Sequence, residues 1–336
     1  MKGKRVFLVS VSFILLLLVS TSLTLRVGGL EASASGPLVT VHFIYVGQGD
    51  SILVDAQGVE VLIDGGPTSA GSTVLSYLNG LGVSHLSLMV ATHMHEDHIG
   101  GLITVLNSAI QVDEVLTNNE SYTTQSYAQF MALAQTHTLV VAQRGQVYTL
   151  TSTVNLTVYN PVQPLEFTDQ NENSVVLKLQ AGETSFLLEG DASSGAEASM
   201  INAGLNLQSN VLKVGHHGSA TATTDAFLSA VQPTYAVISC GLNNEYGFPA
   251  PETMQRLSNH NVTTYGTYMS GTIIATSDGT TITFLNNPVA IPEFADVLML
   301  TVMVVTVLLA TTIKRRERLR ACLFRKWLKM VLIRLL

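Results

Sequence analysis

The pattern of hydrophobic and polar residues predicts a domain of mixed strands and helices between residues 39 and 285. Alternating or β-branched apolar stretches predict strands at 39–45, 51–55, 59–63, 86–92, 112–116, 139–141, 155–159, 175–179, 185–188, 211–214, 235–239, 272–276 and 281–285. Good helix formers, several of them entered from Ser, Thr or Asp, predict helices at 71–79, 100–108, 124–135, 194–203, 224–230 and 251–258. Strands and helices interleaved in this way favour one layered α/β domain.

The first 35 residues have a different pattern. A basic start at Lys2, Lys4 and Arg5 precedes an apolar run over 6–19, and a small-residue triplet follows at 32–34. This order predicts a secretory signal peptide over 1–35, with an uncleaved N-terminal anchor as the alternative.

A second long apolar stretch lies near the other end of the sequence. Residues 294–313 are almost entirely apolar and, at 20 residues, can span a bilayer. Lys and Arg follow at 314–316, and such clusters concentrate on the cytoplasmic side of a membrane. We therefore predict a transmembrane helix over 291–313 that leaves residues 36–290 outside the cell, and a basic cytoplasmic tail over 314–336 on the inner membrane surface. The segment begins with Pro-Glu-Phe, which is similar to an archaeal C-terminal sorting signal, so a permanent anchor and processing both stay open.

Charge is distributed unevenly along the chain, and the acidic middle region disfavours one class of function. The chain has a formal charge of −7 with 47% hydrophobic and 12% charged residues, a composition that excludes intrinsic disorder. Residues 27–313 contain four basic and 23 acidic residues, which gives −19. Sequence-independent nucleic-acid binding relies on Lys and Arg to neutralise phosphates, so this region is a poor candidate for it. Cys240 and Cys322 fall on opposite sides of the predicted membrane, so we expect no disulfide within the chain.

The candidate chemistry is concentrated at residues 92–101, directly after a predicted apolar strand. The sequence THMHEDHIGG places three imidazoles and two carboxylates within six residues. Such groups are costly to bury unpaired, and together they are what a divalent metal site requires. His93 and His95 can point to one side of an extended segment. Asp97 and His98 then lie on the turn into the next helix, where they can hold a second metal.

The chain here resembles the metallo-β-lactamase fold superfamily, whose motif is His-x-His-x-Asp-His. Further segments occur in the same order as in the hydrolase domain of the ComEC competence (DNA-internalisation) family: FIYVGQGDS at 43–51, LIDGG at 62–66, NENS at 171–174, LEGDA at 188–192, KVGHHGS at 213–219 and YG at 246–247. Over about residues 38–286, the resemblance implies a four-layer αββα sandwich of the α/β class. It also implies one or two divalent ions, Zn or Mn, at the edge of the sheets.

The resemblance implies roles for individual residues. Asp191 corresponds to the carboxylate that bridges two metals. The expected metal ligands are His93, His95, Asp97, His98, Asp191 and His216, the expected catalytic residues are Asp97, Asp191 and His217, and the expected supports behind the ligands are Asp64 and Asp50. His216 or His217 could ligate the second metal or donate a proton to a leaving group. We interpret the remaining histidines of the domain as ordinary core or surface residues: His42, His85, His137 and His260.

The chain departs from the family pattern at two positions. Tyr45 stands where the family commonly has Asp, and Phe248 where it commonly has His. Between residues 99 and 215 there is one further histidine, His137, and its context does not suit a metal ligand. One tightly held ion beside a labile one is therefore an alternative to a full two-metal site.

Metal chemistry and the resemblance together predict the function. A divalent ion lowers the pKa of water toward neutrality, so that the water can attack a phosphorus or carbonyl centre. We expect a membrane-anchored extracellular hydrolase of phosphodiester bonds in a small molecule or a nucleic-acid fragment, since −19 opposes a long polyanion. A β-lactam or thioester hydrolase, and a non-catalytic surface binding module on the same fold, are the alternatives.

Overall fold

The computed structural model describes residues 36–289, and from Leu38 onward these form one compact unit. The predicted signal peptide or anchor over 1–35, the transmembrane helix over 291–313 and the tail over 314–336 lie outside the described residues. Within 36–289, no helix combines the length and the apolar character needed to cross a bilayer. Cys240, the cysteine of this region, is buried and has a free thiol.

Strands and helices alternate through most of the described region. The strands are β1 (Val39–Phe43), β2 (Ile52–Asp55), β3 (Glu60–Ile63), β4 (His85–Leu86), β5 (Leu88–Ala91), β6 (Gln111–Val112), β7 (Glu114–Thr117), β8 (Thr138–Val141), β9 (Val147–Thr149), β10 (Val154–Asn160), β11 (Val176–Ala181), β12 (Thr184–Leu188), β13 (Val211–Lys213), β14 (Tyr235–Ile238), β15 (Thr263–Gly266), β16 (Ile273–Ser277) and β17 (Ile282–Phe284). The helices are α1 (Gly71–Gly80), α2 (Glu96–Leu106), α3 (Gln125–Ala134), α4 (Ser194–Asn202), α5 (Asp225–Val231), α6 (Pro251–Asn259) and α7 (Thr267–Ser270).

Most of the strands belong to two large sheets. The first sheet has the order β17-β16-β1-β2-β3-β5-β7-β8 and the second the order β15-β14-β13-β12-β11-β10-β9, while β4 pairs with β6 alone. Neighbours from β3 to β8 in the first sheet and from β12 to β15 in the second are parallel. Parallel strands end at the same sheet edge and need crossover connections. Each sheet therefore presents a row of strand ends and loops along one edge.

Three apolar clusters hold the layers together. One lies between the sheets and joins, for example, Phe43 and Val90 of the first sheet to Phe186 and Val211 of the second. The second cluster packs the outer face of the first sheet against α1, α2 and α3, and the third packs the outer face of the second sheet against α4, α5 and α6. Strands buried on both faces are apolar throughout, as Leu88–Ala91 is. The expected four-layer αββα sandwich is confirmed.

The structure differs from the predicted elements in two instructive places. Helix α2 begins at Glu96 rather than at residue 100, because Glu96 and Asp97 in its first turn are favoured by the helix dipole. Asp97 and His98 therefore belong to the helix itself. The sequence analysis did not predict β15, whose stability depends on parallel pairing with β14 more than on its own short pattern.

A close approach of two backbone segments sets the distance between the first sheet and α2. Gly65 lies in the turn after β3, and its N–H donates to the carbonyl oxygen of His98 at 2.7 Å. Gly101 lies in α2, and its N–H donates to the carbonyl oxygen of Gly66 at 2.9 Å. A Cβ atom at Gly101 would overlap the carbonyl oxygen of Gly65. The absence of side chains here lets the turn and the helix meet, as glycine does where backbones approach closely.

We expect Gly101→Ala to lower the free energy of unfolding by about 1–3 kcal/mol, because the added methyl group must push the helix away from the turn. The measurement is the urea midpoint of the purified full chain. Gly80→Ala is the matched control, since a Cβ there meets no atom within 4 Å, and we expect its midpoint to be unchanged or slightly higher. Equal midpoints for Gly101→Ala and the unmodified chain would contradict the tight contact.

Candidate metal centre

Four of the predicted site residues come from loops at the carboxyl ends of four parallel strands. Asp64 follows β3 and His93 lies two residues after β5, both in the first sheet. Asp191 and His217 come from the loops after β12 and β13 of the second sheet. The site therefore forms where the edges of the two sheets meet, and neither sheet builds it alone.

Asp191 lies at the centre of this convergence and is buried, with 2% of the residue exposed. Its Oδ1 is 3.3 Å from His98 Nε2, and its Oδ2 is 3.4 Å from His217 Nε2. The same Oδ2 is 3.8 Å from His93 Nε2 and 3.8 Å from His216 Nε2. One carboxylate thus faces four imidazoles.

Asp64 fixes the direction in which two of these imidazoles point. Its Oδ2 lies 2.7 Å from His98 Nδ1 and accepts the hydroxyl hydrogen of Thr92 at 2.7 Å. Because that hydroxyl donates to Asp64, its oxygen is free to accept from His93 Nδ1, 3.2 Å away. Both rings then carry their hydrogen on Nδ1 and turn the lone pair of Nε2 toward Asp191.

His217 is oriented in the same way from the second sheet. Its Nδ1 lies 3.0 Å from the carbonyl oxygen of Ser239, which can only accept, so the ring hydrogen is on Nδ1. The Nε2 lone pair then faces His98 Nε2 at 3.3 Å. Two lone pairs and the carboxylate of Asp191 repel one another unless a cation or protons lie between them.

This donor set fits a divalent cation. Four sets of three groups have ligand atoms within 4.8 Å of one another: His93, His98 and Asp191; Asp97, His98 and His217; Asp50, Asp191 and His217; and Asp50, Asp64 and His98. Imidazole nitrogen and carboxylate oxygen are ligands for Zn, and carboxylates also suit Mn. The residues present are therefore those that the expected one or two ions require.

Asp50 differs from the other carboxylates because a cation of the protein already neutralises it. Lys213 is fully buried, and its Nζ lies 2.7 Å from Asp50 Oδ2. Asp50 Oδ1 lies 3.3 Å from His217 Nδ1, on the side of the ring that faces away from Asp191. Asp50 thus supports His217 from behind. Sequence reasoning missed Lys213, although a lysine that ends an apolar strand was a signal for a buried ion pair.

The pKa values reflect this crowding of charges. Burial would lower the pKa of His98, but the carboxylates of Asp191 and Asp64 outweigh it and hold that pKa well above its ordinary value. The same balance, with Asp191 and Asp50 as the partners, holds the pKa of His217 well above its ordinary value. Burial would raise the pKa of Asp191, but the neighbouring His217 and His98 hold it well below. Without metal, His98 and His217 therefore tend to hold a second proton, which faces the carboxylates.

Three predicted residues lie toward the open side of the cluster. Asp97 has 29% of its side chain exposed, and its Oδ2 lies 3.3 Å from His217 Nε2. His95 directly precedes α2 without a side-chain capping bond, and its Nδ1 lies 2.9 Å from His93 Nε2. His216 has 24% of its side chain exposed. His216 and His217 both have a left-handed backbone, with φ of 46° and 54°, a conformation that is costly outside glycine and that concentrates at functional sites.

The remaining histidines lie apart from the cluster, as expected, and each has its own partner. The pairs are His42 with the Tyr77 hydroxyl, His85 with Asp113, His137 with the Val112 carbonyl and His260 with Asp225. Ser174 belongs to the NENS segment, for which the sequence analysis predicted no role. Its Oγ lies 3.4 Å from His93 Nδ1 and accepts the N–H of Asp191 at 3.2 Å, so it links the two sheets at the site.

We expect Asp64→Asn to weaken metal binding by about 10- to 100-fold, because an amide cannot accept hydrogens on both of its terminal atoms. The measurement is the affinity of the full chain for Zn²⁺ in competition with a chromophoric chelator. Asp55→Asn, which changes a carboxylate that caps a surface turn, is the control and should leave the affinity unchanged. An unchanged affinity in Asp64→Asn would contradict the orienting role.

The metal-free protein should lose stability as the pH rises above neutrality. The folded-state pKa of His98 and His217 lies above 6.5, so their pairing with carboxylates is fully present below pH 6.5 and is lost as the pH rises through the raised values. The Tm of chelator-treated protein, measured by calorimetry between pH 6 and pH 9, should fall, and added Zn²⁺ should restore it at about pH 9. A Tm that rises over this interval would contradict the assignment.

The chain is similar in sequence to known proteins. Residues 44–242 match the family model described as the metallo-beta-lactamase superfamily. The chain is 31% identical over 253 residues to ComE operon protein 3 of Bacillus subtilis (strain 168), covering 69% of this chain and 32% of that protein. It is 33% identical over 229 residues to competence protein ComA of Neisseria gonorrhoeae, covering 68% of this chain and 30% of that protein. The chain therefore spans about a third of the length of these relatives.

Among solved structures, the chain is similar to Igni18, described as a metallo hydrolase from the archaeon Ignicoccus hospitalis KIN4/I. The identity is 17% and the TM-score 0.49, with 70% of this chain and 98% of that chain covered. The relatives confirm the resemblance to the ComEC family that the motifs indicated. With more than half of its length matched by the family model, the chain belongs to the metallo-beta-lactamase superfamily.

Proposed function

We propose that this protein is a metal-dependent hydrolase that cleaves phosphodiester bonds. The observation that carries the proposal is the common direction of three imidazoles. His93, His98 and His217 each have a hydrogen-bond partner at Nδ1 outside the cluster, so their Nε2 lone pairs converge on Asp191. A fold does not need such an arrangement for stability, because apolar side chains would fill the same space at lower cost.

The proposed ligands surround Asp191. His93, His98 and His217 each place Nε2 within 3.8 Å of its carboxylate, and His95 and Asp97 lie beside His93 and His217. These residues would hold one or two divalent ions, Zn or Mn. When bound, such an ion supplies Lewis-acid chemistry, in that it lowers the pKa of water and offsets negative charge on the substrate. Asp64 and Asp50 hold the imidazoles in direction, which raises their basicity as ligands.

The burial of the two adjacent histidines favours different roles for them. His217 lies inside the cluster and contacts both Asp97 and Asp191, which suits a ligand. His216 has a quarter of its side chain exposed at the open side, where its Nε2 can reach a leaving group and donate a proton. We therefore propose His217 as a ligand and His216 as the proton donor, the reverse of the division expected from the sequence.

Phosphodiesters are the proposed substrate class because of the ComEC resemblance, which extends over the segments around Asp50, Asp64, His93, Asp191 and His217. A buried group of carboxylates repels a phosphodiester, so the positive charge of bound metal must offset that repulsion before the substrate can bind. β-Lactam or thioester hydrolysis uses the same chemistry at a carbonyl carbon, and it is an outcome of the substrate test below.

We also propose, from the sequence pattern, that the hydrolase domain lies outside the cytoplasm and that the segment 291–313 with the basic tail attaches it to the membrane. Protease added to intact cells tests this. Cleavage of residues 36–290 with protection of 314–336 is the expected result, and protection of both parts would overturn it.

The central test is activity of the purified full chain with its metal content measured by mass spectrometry. We expect metal-dependent hydrolysis of bis-p-nitrophenyl phosphate, little hydrolysis of nitrocefin or a thioester, and loss of activity in chelator. Asp191→Asn and Asp97→Ala should each lower kcat/KM by about 100-fold or more, because the charge stabilisation at the reacting centre is lost.

His137→Ala is the matched control, since His137 bonds a backbone carbonyl away from the cluster, and its activity should be unchanged. The Tm of Asp97→Ala separates a catalytic from a structural metal. A catalytic site predicts lost activity with nearly unchanged Tm, whereas a structural metal couples the two losses. Bound metal with no turnover of any substrate would instead indicate a binding module.

A further inference from the structure

An exposed aromatic pair borders the metal centre. Tyr246 stacks on Phe248 with ring centroids 5.5 Å apart and planes 16° apart. Phe248 also has two ring contacts with the site itself, at 5.6 Å from the His216 ring and 6.2 Å from the His217 ring. Tyr246 is 61% exposed, so its outer face continues the stack into solvent next to the cluster.

The loop that carries this pair is held in place. The side chain of Asn244 donates to the carbonyl oxygens of Gly241 at 2.8 Å and Phe248 at 2.6 Å, and it accepts the N–H of Phe248 at 3.0 Å. These three bonds close the loop around Tyr246. A large ring that is both exposed and pre-positioned pays little entropy when a planar group stacks on it.

The cations of the described region are turned inward. Residues 36–289 contain four Lys or Arg and twenty Asp or Glu, a formal charge of −16. Each of the four donates to backbone carbonyls of the fold: Arg144 to Tyr159, Lys178 to Asn206 and Gln208, Lys213 to Val214, and Arg256 to Thr223 and Ala222. Two are buried and two are half-buried. This part of the chain therefore offers no cationic track for a row of phosphates.

We propose that Tyr246 determines specificity by stacking on a nucleobase, and that the substrate is a short nucleotide phosphodiester of about dinucleotide size rather than a polymer. This inference rests on the proposed function and narrows its substrate. Among biological phosphodiesters, nucleotides carry planar aromatic rings on their ester groups, and stacking recognises such rings without regard to phosphate charge. A single phosphate held at the metal centre needs no further cations, whereas each additional phosphate meets an acidic surface.

The test compares two substrates that share one leaving group. Thymidine 5′-(p-nitrophenyl phosphate) and methyl p-nitrophenyl phosphate release the same p-nitrophenol and differ in the nucleoside, so the ratio of their kcat/KM values reports recognition of the nucleoside, and its change in a Tyr246 variant reports the stack. For the metal-loaded full chain we expect a ratio well above one. In Tyr246→Ala the ratio should fall about 10-fold, the size typical of one lost base stack.

Two control variants separate stacking from general damage. Tyr246→Phe keeps the ring and should keep the ratio. Leu285→Ala removes another exposed apolar side chain, 69% exposed, and should leave both rates unchanged. A ratio that is the same in Tyr246→Ala and the unmodified chain, with both substrates turned over, overturns the stacking role while the proposed hydrolase stands. Absence of turnover for both substrates overturns the proposed function itself.

Substrate length is tested with oligothymidylates of 2 to about 20 nucleotides at several salt concentrations. We expect kcat/KM per bond to be highest for the shortest oligomers and to fall with length, because each added phosphate meets the acidic surface, and the fall should be smaller at high salt, which screens that repulsion. A kcat/KM that rises steeply with length and falls steeply with salt overturns the preference for short substrates.

Discussion

The orientation of the metal centre depends on one buried carboxylate. Asp64 takes the Nδ1 hydrogen of His98 directly and, through the Thr92 hydroxyl, determines the direction of His93. It can do so because Gly65 and Gly101 let the turn after β3 touch helix α2. The orientation of the imidazoles at the site therefore depends on the backbone packing of the turn after β3 against α2. A residue that separates helix and turn would also rotate the imidazoles away from Asp191.

In the described region, acidic and basic side chains differ in where they lie and in what they contact. Most carboxylates lie on the surface or at the metal centre, although Glu189 and Glu197 are fully buried, while the four Lys and Arg residues bind backbone carbonyls of the fold. Lys213 shows what this achieves, since it neutralises Asp50 and so keeps a support of His217 ionised in a buried place. For the proposed reaction, attraction for a phosphate then has to come from bound divalent ions, and discrimination among substrates from uncharged contacts such as the stack of Tyr246 on Phe248.

Local patterns carried much of the prediction. The apolar run before Thr92 predicted a buried strand, and the motif that follows predicted ligands at a strand end, because strand periodicity and turn chemistry depend on neighbours in the chain. One error was local, because the acidic first turn of α2 favours a start at Glu96 rather than at residue 100. The other errors occurred where distant contacts decide, as for β15, which pairs with β14. The relative burial of His216 and His217 also depends on contacts that adjacency in sequence does not reveal.

The sequence by itself determined the class of the fold, the residue types of the centre and the spacing of His93, His95, Asp97 and His98. These follow from interactions within a few residues, so they are encoded locally. The tertiary structure alone decided which ring nitrogens face inward, that Lys213 pairs with Asp50, and that His98 meets His217 across 119 residues of chain. Such features depend on where loops from two different sheets come to rest against each other, and no local pattern specifies the direction of a side chain relative to a partner so far along the chain.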